Sequence, residues 1–149
     1  MAIPAFRDDG WLPEGHHTAT WEEIEDAFGG SPGSRRRDLL ERLIIWREEL
    51  RARSVTGILL LDGSFVSAKP VPGDVDALFV IDEKAETTLR NDSDSMELIS
   101  HSAIKQRSIG DVFCFTETGV RNFPAMCRLD GFDIDKRTKR PKGLIEARI

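Results

Sequence analysis

Asp74 and Asp76 stand one residue apart at the start of an apolar run that continues to Ile81. In an extended chain a two-residue period turns both side chains to one face, with Cα atoms roughly 6.5–7 Å apart. Two carboxylates that close repel unless a cation neutralises them. Mg²⁺, or Mn²⁺ in its place, suits such hard oxygen ligands and commonly shares its shell with substrate phosphates. Upstream, Gly63-Ser64 follows a second apolar run, Ile58 to Leu61, and residues 65–73 separate it from Asp74. Gly63 permits a tight turn and a close backbone approach to a ligand. Ser64 offers an amide and a hydroxyl, which at a helix N-terminus would form an anion site. Lys69, in the intervening loop, is either a point charge for phosphate or a surface lysine. A Gly-Ser turn alone, or an Asp-x-Asp pair alone, is ordinary loop and strand-edge chemistry. Joined by one short loop, they pair a phosphate cradle with a metal-holding carboxylate pair.

These residues need elements to hold them. Ile58 to Leu61 reads as a buried strand, and Asp74 to Ile81 as a second. Gly110 to Phe115 reads as a third, and Leu144 to Ile149 as a terminal strand. Thr20-Trp21-Glu22-Glu23 is a capping box. It opens a short helix with Trp21, Ile24, Ala27 and Phe28 on one face, stopped by Gly29 and Gly30. Ser34 then caps a longer helix to about Arg53, with Leu39, Leu40, Leu43, Ile44, Trp46 and Leu50 in one stripe and Arg47 and Arg51 on the wet side. Arg35-Arg36-Arg37 sits at that helix's start, where cations are unfavourable. It reads as a solvated face or, failing that, a phosphate-facing cluster. The chain is expected to form one domain over residues 1–149. An N-terminal arm (1–19) would precede a helical segment (20–54) and a sheet-containing catalytic core (55–149).

With 149 residues, 40% hydrophobic and 32% charged, the chain is an ordinary globular one. Its net charge of −5 argues against coating nucleic acid non-specifically. No apolar run approaches the ~20 residues of a membrane span, and no signal peptide is expected. Cys114 and Cys127 read as reduced thiols of a cytoplasmic protein, Cys114 packing as a small apolar residue. His16, His17 and His101 are not expected to bind metal. Phe113, Phe115, Phe123 and Phe132 are most simply core. Lys136, Arg137, Lys139, Arg140 and Lys142 form either a polar hairpin between strands or a local RNA-phosphate patch.

An apolar strand, Gly63-Ser64, a short loop and Asp74-x-Asp76 running into a second apolar strand resemble the signature of the polymerase-beta-like nucleotidyltransferase superfamily. A closer resemblance, to small bacterial and phage-borne nucleotidyltransferase-like proteins, extends over Leu12 to Trp21, Arg36 to Leu40, Leu61 to Pro70, Pro72 to Asp76 and Arg140 to Ile145. That family is similar to the nucleotidyltransferases of toxin–antitoxin systems. The resemblance implies an α+β fold, a minimal nucleotidyltransferase with a small mixed or antiparallel sheet packed against helices on one face. It implies Mg²⁺ or Mn²⁺ as cofactor and a nucleoside triphosphate as substrate. It also implies a third carboxylate on a neighbouring strand, for which Asp111 is the best candidate and Asp130, Asp133 and Glu146 are rivals. Asp74, Asp76 and Asp111 would then be catalytic and hold the metal, while Gly63, Ser64 and Lys69 bind phosphate. The implied activity is transfer of a nucleoside monophosphate to a hydroxyl of RNA or protein, in a toxin–antitoxin or phage-defence setting. The alternative is an inactive relative, a binding module or antitoxin working through a protein partner.

Overall fold

A computed structural model describes residues 3–124 and 132–149. The chain is α+β, and its described residues form six helices and one open five-stranded mixed sheet. The strands are β1 (His16–Thr18), β2 (Gly57–Asp62), β3 (Val75–Ile81), β4 (Gly110–Thr116) and β5 (Leu144–Arg148), in the order β1-β5-β2-β3-β4. The β2 strand runs antiparallel to both β3 and β5, while β1–β5 and β3–β4 are parallel pairs. The helices are α1 (Trp21–Phe28), α2 (Arg35–Ala52), α3 (Glu86–Asn91), α4 (Ser93–Leu98), α5 (His101–Gln106) and α6 (Glu117–Asn122).

Local chemistry accounts for the helix starts. Thr20 accepts from the Glu23 amide while Glu23 reaches back to the Thr20 amide, so the capping box is complete. Ser34 caps α2 by accepting from the Arg37 amide. Leu39, Leu40, Leu43, Trp46 and Leu50 then bury one stripe of α2, while Ile45 remains exposed. Trp46 packs edge-on to Phe79 of β3 at 5.6 Å and donates its indole N–H to the Leu98 carbonyl at 2.8 Å. That hydrogen bond makes the buried ring affordable in an apolar core.

Period-two alternation divides the sheet into two faces. Leu59, Leu61, Val75, Ala77, Phe79, Ile81, Val112, Ile145 and Ala147 join the helical stripes in one core. Leu60, Asp62, Asp76, Leu78, Asp111 and Phe113 belong to the other face. Cys114 packs against the core, where burial pushes its thiol up to about 12. It behaves as an inert apolar group.

Three expectations change. The arm contributes an edge strand, β1, and buries Leu12 completely. The phenylalanine group is not core: Phe113 and Phe123 are exposed, and Phe115 and Phe132 are half-buried. Arg47 lies over the Trp21 ring at 4.7 Å rather than on the wet side. Among the described residues no helix is long and apolar enough to cross a membrane.

Candidate functional site

Three neighbouring strands deliver three carboxylates in one row. Asp62 at the end of β2 pairs with Asp76 on β3, and Asp76 pairs with Asp111 on β4. Asp74 immediately precedes β3. Oxygens of Asp74, Asp76 and Asp111 lie within 4.8 Å of one another. One glycine sets this register. Gly110 has φ +149° and pairs with Val75, and a Cβ there would stand 2.0 Å from the Val75 carbonyl oxygen. Only glycine lets β4 begin so close to β3, and Asp111 follows it directly.

The Gly63-Ser64 turn closes the other end of the row. Gly63 has φ +75° and ψ −166°, a backbone region essentially restricted to glycine. A Cβ at Gly63 would sit 2.3 Å from Oδ2 of Asp76. The turn is therefore packed on the central carboxylate. Ser64–Val66 is a single 3-10 turn, not the start of a longer helix, so the helix dipole expected at Ser64 does not form.

The electrostatics follow the geometry. Burial, then the nearby charges of Asp74, Asp62 and Asp111, push Asp76 up to about 6. Burial also raises Asp62, against the pull of Lys142. Asp111 is held below the usual carboxylate range because Lys105 and His101 of α5 both reach its Oδ1, at 3.1 and 3.0 Å. The central carboxylate, Asp76, is the one that its neighbours' negative charges work against. Asp74, Asp76 and Asp111, with converging oxygens, are hard ligands that suit Mg²⁺ or Mn²⁺. On chemistry the residues fit a divalent metal.

The row opens into a cleft of about 540 Å³ that Gly63, Ser64, Asp76 and Asp111 line together with Trp11, Phe113 and Lys142. Lys69 is exposed and does not line it. Glu146 on β5 is paired with Leu60, beyond the row, and receives the Thr18 hydroxyl at 3.3 Å. Asp133 lies at the base of a basic loop that the Ile134–Pro141 bridge closes as a hairpin. Asp130, Cys127 and the start of the basic stretch at Arg128 lie outside the described residues.

Sequence reasoning passed over two features. The first is what the arginine triplet does. Arg36 donates to the carbonyls of Phe65, Ser67 and Lys69 at 2.5, 2.7 and 2.5 Å, and Arg35 to that of Gly73 at 2.6 Å. Arg36 is half-buried rather than solvated, and Arg35, though on the exposed face, is engaged in the same way. They staple the loop that carries Gly63-Ser64 to Asp74. Arg37, the third, pairs with Glu25 at 2.7 Å. The available signal was three cations at the positive end of a helix, a placement that asks for partners elsewhere. The second is the trio of Trp11, Asp62 and Lys142. A carboxylate ending a buried strand was the only cue to it.

The sequence model of one protein family, described as a family of unknown function (DUF6932), matches residues 4–148. No curated protein and no solved structure matches the chain.

Proposed function

The chain belongs to DUF6932, a family of unknown function, and we propose that it is a metal-dependent nucleotidyltransferase. It would move a nucleoside monophosphate from a nucleoside triphosphate to a hydroxyl of a macromolecule, RNA or protein. The observation that carries this reading is the carboxylate row with the Gly63-Ser64 turn packed against its centre. Asp74, Asp76 and Asp111 would hold Mg²⁺ or Mn²⁺, which when bound neutralises the triphosphate and the charge that develops on the leaving group.

The chain's own residues do the rest. The Gly63-Ser64 backbone grips the β- and γ-phosphates. Arg35 and Arg36 fix the loop that follows that turn, so its position is set before the phosphates arrive. The acceptor oxygen bonds to the α-phosphorus as the bridging bond to the β-phosphate breaks. Pyrophosphate leaves with that electron pair. Asp111, at the β4 end of the row and oriented by His101 and Lys105, takes the acceptor's proton and passes it to water. Catalysis is then positioning and charge neutralisation.

One observation favours the second reading, an inactive module that works through a protein partner. Oδ1 of Asp111 is already satisfied by two cationic or polar partners within the chain. The experiment separates the two. The protein is incubated with α-labelled nucleoside triphosphates, Mg²⁺ or Mn²⁺, and an extract of RNA and protein, beside Asp74→Asn and Asp76→Asn. Label transferred by the native chain and lost in both variants supports the enzyme and identifies the acceptor class. No transfer, with no metal-dependent nucleotide binding, supports the inactive module.

A further inference from the structure

Lys142 is a buried cation of the cleft that no part of the carboxylate chemistry uses, whereas Lys136, which also lines it, is exposed. Its side chain is 8% exposed. Its ammonium lies 3.1 Å from Oδ1 of Asp62 and 4.1 Å from the centre of the Trp11 ring. It reaches the cleft from the segment leading into β5, and Trp11 reaches it from the arm. These distant pieces of chain converge on the strand end that immediately precedes Gly63.

A buried lysine is costly unless a partner keeps it charged. Asp62 supplies the opposite charge, and the Trp11 face supplies a cation–π contact. Neither completes the ammonium's needs. Lys142 stands within hydrogen-bond distance of the buried Oδ1 of Asp62, which takes up one of the ammonium's protons. The ammonium has three protons, the ring face accepts none as an ordinary hydrogen bond, and both groups line the cleft that holds Gly63 and Ser64. A buried ammonium with protons left over beside the cleft can extend one of them to a ligand there.

We propose that Trp11, Asp62 and Lys142 form a pyrophosphate subsite in which Lys142, and not Lys69, grips the polyphosphate tail. This inference rests on the nucleotidyltransfer reading and assigns its leaving group a place. Asp62 and Trp11 hold the ammonium in position beside the Gly63-Ser64 turn. Lys142 extends a remaining proton to a phosphate oxygen as the tail enters. When the bond between the α- and β-phosphates breaks, the charge gained by the departing pyrophosphate falls beside a cation that is already desolvated and oriented, where it is worth most. Lys69 stands on the exposed side of a loop whose carbonyl Arg36 has claimed.

The test uses the whole chain with saturating Mn²⁺ and inorganic pyrophosphate as probe. Calorimetry gives pyrophosphate affinity, and the electron paramagnetic resonance of Mn²⁺ gives metal affinity separately. Lys142→Met is expected to weaken pyrophosphate binding by at least about tenfold, the size of one lost charge-assisted hydrogen bond, with Mn²⁺ affinity kept. Lys69→Met is expected to lose much less. Equal pyrophosphate affinity in the native chain and Lys142→Met, or a larger loss in Lys69→Met, overturns the subsite. Should Lys142→Met fail to fold, the side-chain nitrogen resonance of Lys142 in the native chain decides. It shifts on adding pyrophosphate if the subsite exists, and an unmoved signal overturns it. A native chain that binds Mn²⁺ but no pyrophosphate overturns the subsite alone. One that binds neither overturns the metal reading with it.

Discussion

The two faces of the β3 strand obey opposite rules. Ala77, Phe79 and Ile81 point into the helix-backed hydrophobic core, where each is excluded from water. Asp76 points the other way, into a half-buried row of carboxylates that burial and mutual repulsion make unfavourable. A single strand therefore carries residues chosen for burial and, between them, a residue chosen against it. The difference separates what holds the fold from what the fold is arranged to hold. Stability is concentrated on one face, and negative charge that the chain's own cations offset only in part is concentrated on the other.

The comparison breaks if the core face proves expendable. Phe79 packs against Trp46, and both rings are fully buried. Phe79→Ala is expected to cost about 3–5 kcal/mol of stability, measured by denaturant unfolding. A smaller effect is expected from Gly63→Ala, but it bridges the two faces. The alanine would adopt a strained backbone and press on Oδ2 of Asp76. About 1–3 kcal/mol is expected from the backbone alone. Divalent-metal affinity should fall as well in the surviving folded protein. Unchanged metal affinity would detach the turn from the carboxylate row.

Much of the core face was legible in the sequence, because local patterns make it. The capping box at Thr20, the stripe of α2 and the apolar runs of β2, β3 and β5 each declare themselves within a few residues. Asp74, Asp76, Gly63 and Ser64 were legible for the same reason, being joined by one loop. What was not legible depends on pairings distant in the chain. The β1 strand is only three residues long and exists through its partner β5. Arg36 looks like a surface cation until the loop folds over it. Lys142 meets Asp62 only after β5 has added beside β2. The four phenylalanines misled because an aromatic residue alone does not say which face of a strand it takes, and Phe113 stands on the open one, stacked on His101 at 4.5 Å.

The smallest effect is the most direct reading of the open face, because its sign opposes that of Phe79. An unfolded aspartate titrates near 3.8, and Asp76 in the folded chain near 6. Between those values the folded protein holds a proton that the unfolded chain has lost, so stability must fall as pH rises through that window. Discounted for screening at a half-exposed site, the fall is of order 1–2 kcal/mol. In metal-free protein, the melting temperature is therefore expected to drop between about pH 4 and pH 6. Asp62, also raised by burial, acts in the same sense, and the carboxylates held low act in the opposite one. Asp111, held low by Lys105 and His101, contributes stability that is lost on acidification, so the contribution of Asp76 is isolated by difference. Asp76→Asn should remove its part of the slope and raise the melting temperature at pH 7. A side chain whose removal stabilises the empty protein is one that folding alone would not have selected. If Asp76→Asn instead destabilises the chain at pH 7, the row is structural, and the division between the two faces fails at its centre.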